Sequence, residues 1–269
     1  MNLSTYMTHL LSHGQTVFTD EQAQHALQIG KGALLDAAQK LQRRNYLIKP
    51  RRGFYVIVPP QFISMGAPPP SWYIDALMAH GQRPYYVGLL KAADLHGATH
   101  QAVMEFQVIT DKRMPRIKAG RSAIAFYYRK DMHDVSVGVE DYKTSTGYMK
   151  ISNIELTILD LLRYPQAAAG LDNIVTVLVD LGTRIDGEML AAISASFEHT
   201  VLQRLGYLLC MLGHEDKAED LHERIAQQPP LPWVELEPAL AADEDFAPEP
   251  VARDIRWHVT VRRMPEPDE

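Results

Sequence analysis

The chain has 269 residues, 46% hydrophobic and 22% charged, with a formal net charge of −6 at neutral pH and one cysteine, Cys210. This composition excludes a disordered chain and leaves room for two domains with separate cores, while a lone cysteine excludes an intrachain disulfide or a multi-cysteine zinc site. No apolar run reaches the roughly eighteen residues of a membrane span and the start does not read as a signal peptide, so the expected location is the cytoplasm.

Leu3, Tyr6, Met7, Leu10 and Leu11 recur at helical spacing and stop at His13-Gly14, giving a first helix. Thr19 followed by Asp20, Glu21 and Gln22 predicts a second: the Thr19 hydroxyl caps free amides, Gln22 stands where a capping box needs it, and the acids favour the positive end. Gln28-Ile29-Gly30-Lys31-Gly32 is a short glycine-bearing turn. It leads into a third helix, running to about Asn45, whose core stripe is Leu34, Ala37, Ala38 and Leu41. Tyr46-Leu47-Ile48 and Phe54 to Val58 then read as two strands joined by Lys49-Pro50-Arg51-Arg52-Gly53. Three helices followed by a hairpin with a basic tip is the order of a winged helix-turn-helix, over residues 1–60. The expected DNA contacts are Thr19, Gln28, Lys31, Gln39 and Arg43 from the helices and Lys49, Arg51 and Arg52 from the wing. Charge agrees, since residues 1–58 hold seven Lys/Arg against three acids, a net of +4, which leaves −10 for the rest.

Pro59-Pro60 and Gly66-Ala67-Pro68-Pro69-Pro70 are rich in breakers and predict a linker, with a second domain over 71–269. In it Trp72 to Ala79 and Tyr85 to His96 read as helices. Glu105 to Thr110, Ala123 to Arg129, Val135 to Val139 and Gly147 to Ile151 read as strands of a small, largely antiparallel sheet at about 105–151. Helices follow over about 153–227: one opened by a capping box of Ser152 and Glu155, then Leu171 to Leu181, Gly187 to Ala195, Thr200 to Leu212 and Asp216 to Gln227. The acidic, proline-rich run Pro229 to Pro250, including Asp243-Glu244-Asp245, reads as solvated loop. Alternation of Ile255, Trp257, Val259 and Val261 with polar residues predicts a final strand at about 255–262. The fold class is therefore α+β: a winged helix-turn-helix, then a larger mixed domain with a small sheet and a helical C-terminal part.

Catalytic constellations are weak, so the expectation is a protein that is no enzyme and holds neither metal nor cofactor. His96 and His100 have zinc-ligand spacing, but Gly97 breaks their helix and no acid follows the first. Asp94, Glu105 and Gln107 lack the lysine of a nuclease site, and His214-Glu215-Asp216 reads as a helix start. In the apolar helix around Val201 to Leu209, Gln203 and Arg204 are conspicuously polar. They read either as an internal hydrogen-bond network or as part of a partner surface.

YYVGLL from Tyr85, ADLHGATHQ from Ala93, FQVIT from Phe106, SNIELTILDLL from Ser152, GLDNI from Gly170 and QRLGYLL from Gln203 are distinctive in combination, and together they resemble the AbiEi family of type IV antitoxins. The resemblance implies a transcriptional repressor that binds inverted repeats upstream of its own operon. It also implies an antitoxin whose C-terminal domain antagonises an AbiEii-like nucleotidyltransferase toxin, in a system linked to abortive infection by phage and without need of a stable complex. The alternative is a conventional ligand-responsive winged-helix regulator.

Overall fold

A computed structural model describes residues 1–98, 105–226, 231–242 and 247–267. In chain order its elements are α1 (Leu3–Ser12), β1 (Val17–Thr19), α2 (Asp20–Leu27), α3 (Lys31–Gln42), β2 (Leu47–Arg51), β3 (Phe54–Ile57), α4 (Ile74–His80), β4 (Tyr85–Val87), α5 (Leu89–Leu95), β5 (Glu105–Thr110), β6 (Ile117–Ala119), β7 (Ser122–Tyr128), β8 (Val139–Thr144) and β9 (Gly147–Ser152). They continue with α6 (Ile154–Arg163), α7 (Leu171–Leu181), α8 (Gly187–Ser194), α9 (His199–Met211), α10 (Glu215–Ala226), β10 (Val234–Glu235), β11 (Ala252–Asp254) and β12 (Val259–Val261). None of the described helices is long and apolar enough to cross a membrane.

The chain divides into two compact units: Met1–Val87 with Met104–Met132 and Asp141–Ile151, and Gly88–Val103 with His133–Glu140 and Ser152–Glu269. In the first, α1, α2 and α3 share one core with the antiparallel sheet β1-β3-β2, built from Leu3, Tyr6, Met7, Phe18, Ala23, Leu34, Ala38, Leu47, Tyr55 and Ile57. Phe18 carries much of this packing: its ring stacks on Tyr55 at 5.1 Å and meets Tyr6 edge-on at 5.6 Å. The same unit holds a six-stranded sheet in the order β6-β7-β5-β4-β9-β8. It is mixed rather than largely antiparallel, because β5 runs parallel to β7 and β4 parallel to β9.

The boundary expected between residues 60 and 71 falls inside the first unit. Pro60–Met65 coils into a 3-10 helix and Gly66 turns the chain at φ 78°, where its backbone lies against Gly120. The amide of Arg121 donates to the Met65 carbonyl at 3.0 Å, and a methyl on Gly120 (φ 59°) would collide with that carbonyl. A breaker-rich composition here makes a tight crossing of two backbones instead of a free spacer.

Other expectations give way to tertiary context. Tyr85-Tyr86-Val87 is a fully buried strand, and the helix expected from Tyr85 begins only at Leu89, after the extended Gly88. Residues His133–Gly138 form a 3-10 helix where a strand was expected. The cap of α6 lies one residue later than predicted: Asn153 Oδ1 accepts from the Leu156 amide, while Glu155 turns inward and accepts from the Asp186 amide at 2.8 Å. In the second unit α6 to α10 pack on one another. A small sheet, β10-β12-β11, follows them, with β12 parallel to β10 and antiparallel to β11. The final strand is shorter than expected, because residues 255–258 turn and leave Ile255 79% exposed while Trp257 is fully buried. Gln227, Pro229 and Asp243-Glu244-Asp245 lie outside the described residues.

Candidate nucleic-acid interface

The N-terminal helices follow from their ends. Thr19 Oγ1 accepts from the Gln22 amide at 3.2 Å and Gln22 Oε1 accepts from the Thr19 amide at 2.8 Å, so the predicted capping box starts α2. Gln28 ends α2 in the left-handed region (φ 55°), its Nε2 donating to the His25 carbonyl, and Gly30 starts α3 without a side-chain cap. α3 then turns one stripe inward, Leu34 and Ala38 with Ala37 and Leu41 beside them. Helical geometry stacks Gly32, Asp36, Gln39 and Arg43 along the opposite side, where all four are exposed, with Leu35 at the margin 39% exposed. Lys31 is exposed at the start of the same helix.

The hairpin β2–β3 distributes its three cations unequally. Arg52 is exposed at the turn, where its carbonyl meets His80 Nε2 at 3.2 Å. Lys49 is half-buried, donating to the Tyr55 hydroxyl at 3.1 Å with its ammonium 4.8 Å from that ring's centre. Burial, then the Asp20 carboxylate, hold the Tyr55 hydroxyl protonated well above the usual tyrosine range. Arg51 is half-buried as well: it donates to the Pro115 carbonyl at 2.9 Å and lies 5.5 Å from the Phe126 ring, and burial lowers its pKa. Of the eight expected DNA contacts, then, Lys31, Gln39, Arg43 and Arg52 are exposed, and Gln28 is exposed with its amide engaged on the His25 carbonyl. Thr19 is occupied in its cap, and Lys49 and Arg51 are occupied within the fold.

The expected partner residues lie elsewhere, in the second unit. Gln203 is fully buried, its Nε2 donating to the carbonyls of Pro232 and Trp257 at 2.9 Å each, so it belongs to no surface. Arg204 is partly buried, its Nε donating to the Glu235 carbonyl at 2.8 Å, and burial lowers its pKa. The residues weighed for catalysis have structural partners: His96 Nε2 meets the Ser152 carbonyl at 2.8 Å, Asp94 pairs with Lys91 at 2.6 Å and Glu105 pairs with Arg116. His100 lies outside the described residues. The Cys210 sulfur accepts from the Trp257 indole at 3.3 Å. Among the described residues no group of three or more His, Cys, Asp or Glu is arranged to hold a metal.

Residues 86–211 match the family model described as the AbiEi antitoxin C-terminal domain. The crystal structure of the RV2827C protein from Mycobacterium tuberculosis aligns with a TM-score of 0.68 at 15% identity, covering 96% of this chain and 90% of that one. At that identity the likeness is one of fold. No curated protein matches the chain.

Proposed function

From the match of residues 86–211 to the AbiEi antitoxin C-terminal domain, we propose that the chain is the antitoxin of a type IV toxin–antitoxin pair and represses its own operon through its N-terminal module. On this reading α1, α2, α3 and the sheet β1-β3-β2 are a winged helix-turn-helix, with α3 entering the major groove of double-stranded operator DNA at inverted repeats and β2–β3 as the wing. The observation that carries it is the outward face of α3. Gln39 and Arg43 stand exposed one turn apart, and their side chains pair in two-pronged fashion with adenine and guanine respectively. Arg52 supplies phosphate contact at the wing tip, as does Lys31 at the start of α3. Arg51 contributes less, because its guanidinium is already engaged with Pro115. The remainder of the chain antagonises a cognate AbiEii-like nucleotidyltransferase toxin in the cytoplasm, without catalysis of its own and as part of a defence against phage.

The test is full-length protein titrated with duplex DNA from immediately upstream of its own gene, alongside co-expression with the neighbouring toxin gene. Gln39→Ala is expected to relax base preference, and Arg52→Ala to lower the slope of log K against log salt by about one. The double variant should lose repression and still rescue growth from the toxin. Loss of rescue together with repression would overturn the independence of the two activities, and no rescue by the unaltered chain would overturn the antitoxin reading.

One observation favours a second reading, a ligand-responsive regulator: a cavity of about 620 Å³ lined by Leu162, Leu171, Ile174, Leu236 and the partly buried Arg204. A neighbouring gene for a transporter or metabolic enzyme, in place of a nucleotidyltransferase, would decide for it.

A further inference from the structure

The acidic total conceals a second basic region. The first compact unit holds 17 Lys/Arg against 8 Asp/Glu, a net of +9, and the second 10 against 25, a net of −15. Residues 1–58 account for only +4 of that +9; residues 104–132 contribute another +4, from seven cations between Lys112 and Lys130 against Glu105, Asp111 and Asp131. Arg129 is buried and Arg116 pairs with Glu105, but Lys112, Arg113, Lys118, Arg121 and Lys130 are exposed.

Strand geometry accounts for part of this exposure. In β6 Ile117 and Ala119 turn into the core, so Lys118 between them turns out, and Arg121 follows Gly120 at the turn into β7. The segment is fastened to the N-terminal module within the same unit. Arg51 of β2 donates to the Pro115 carbonyl and lies on Phe126 of β7, and the Gly120–Arg121 turn rests against Met65 and Gly66.

We propose that residues 112–121, the approach to the β6–β7 hairpin and its turn, form a second phosphate-binding surface that continues the DNA interface from the β2–β3 hairpin through the Arg51–Pro115 contact. It rests on the DNA-binding reading and extends it. Exposed lysines and arginines suit a phosphate backbone, which is bound by charge and read without base preference. Arg51 then acts as a fastener: it holds the wing against the second surface and leaves the exposed Arg52 to reach the duplex.

The test uses the full chain with Lys112→Gln, Lys118→Gln and Arg121→Gln combined, titrated by fluorescence anisotropy with the upstream duplex and with a random-sequence duplex of equal length. The slope of log K against log salt should fall by roughly two to three, since each lost phosphate contact removes about 0.9. Affinity should drop in parallel on both duplexes, leaving their ratio unchanged. A companion variant, Lys112→Arg with Lys118→Arg, should keep the original slope. If Arg52→Ala lowers the slope and the triple variant does not, the second surface is wrong and the wing stands. If the unaltered chain binds neither duplex, the DNA-binding reading fails and takes this extension with it.

Discussion

Two helices of similar length, α3 and α9, have opposite fates. Each combines an apolar stripe with polar residues between. α3 buries only Leu34 and Ala38 fully and leaves Asp36, Gln39 and Arg43 in solvent. α9 buries Val201, Leu202, Gln203, Leu205, Gly206, Leu208 and Leu209, because α6, α10, β10 and β12 pack around it. A polar side chain on a helix is therefore available to a partner only where one side of the helix is covered. The width of the apolar stripe, narrow in α3 and broad in α9, is the feature that separates the two.

The comparison breaks most easily at Gly206. A methyl there would overlap the Trp257 ring, so Gly206→Ala should cost about 3 kcal/mol, measured by chemical denaturation. A loss under about 1 kcal/mol would mean that α9 is not closely covered. Gln203→Leu removes the donor to the buried Trp257 carbonyl and to the part-buried Pro232 carbonyl and should cost about 2 kcal/mol. Thr19→Ala, which deletes half of the capping box of α2, should cost about 1 kcal/mol in the same assay. At the other end, Gln39→Ala and Arg43→Ala should each change stability by less than about 0.5 kcal/mol. Arg43→Ala should also relax base preference on DNA at the guanine it pairs with, read by competition across operator variants. If either variant destabilised the chain as much as Gln203→Leu, the outward face of α3 would be packed and unavailable to a duplex.

Local signals made part of this fold legible. The box of Thr19 and Gln22 is a contact within four residues, and α7 has the predicted bounds because glycines flank it at 170 and 182. What escaped depended on distant partners. β1 is three residues long and exists because Val17 to Thr19 pair with Phe54 to Val56. Tyr85-Tyr86-Val87 fits a helix as well as a strand until β5 and β9 flank it. Arg51 looked like a free wing cation because nothing near it in sequence foretells Pro115. The basic region at 112–130 was hidden by averaging, since it was summed with an acidic remainder along a boundary that the compact units do not follow.

The crossing of Gly66 and Gly120 has a consequence for how such a chain can change over time. Each of these residues occupies a left-handed backbone conformation, and each stands where the other's missing side chain leaves space. Replacing one strains both turns at once, because a side chain on either meets the backbone of the other turn. The two positions, 54 residues apart, are thus a single inherited feature. Lineages that keep this crossing should keep both glycines, and lineages that lose one should show a rebuilt turn at the second, visible as paired change in any set of related chains.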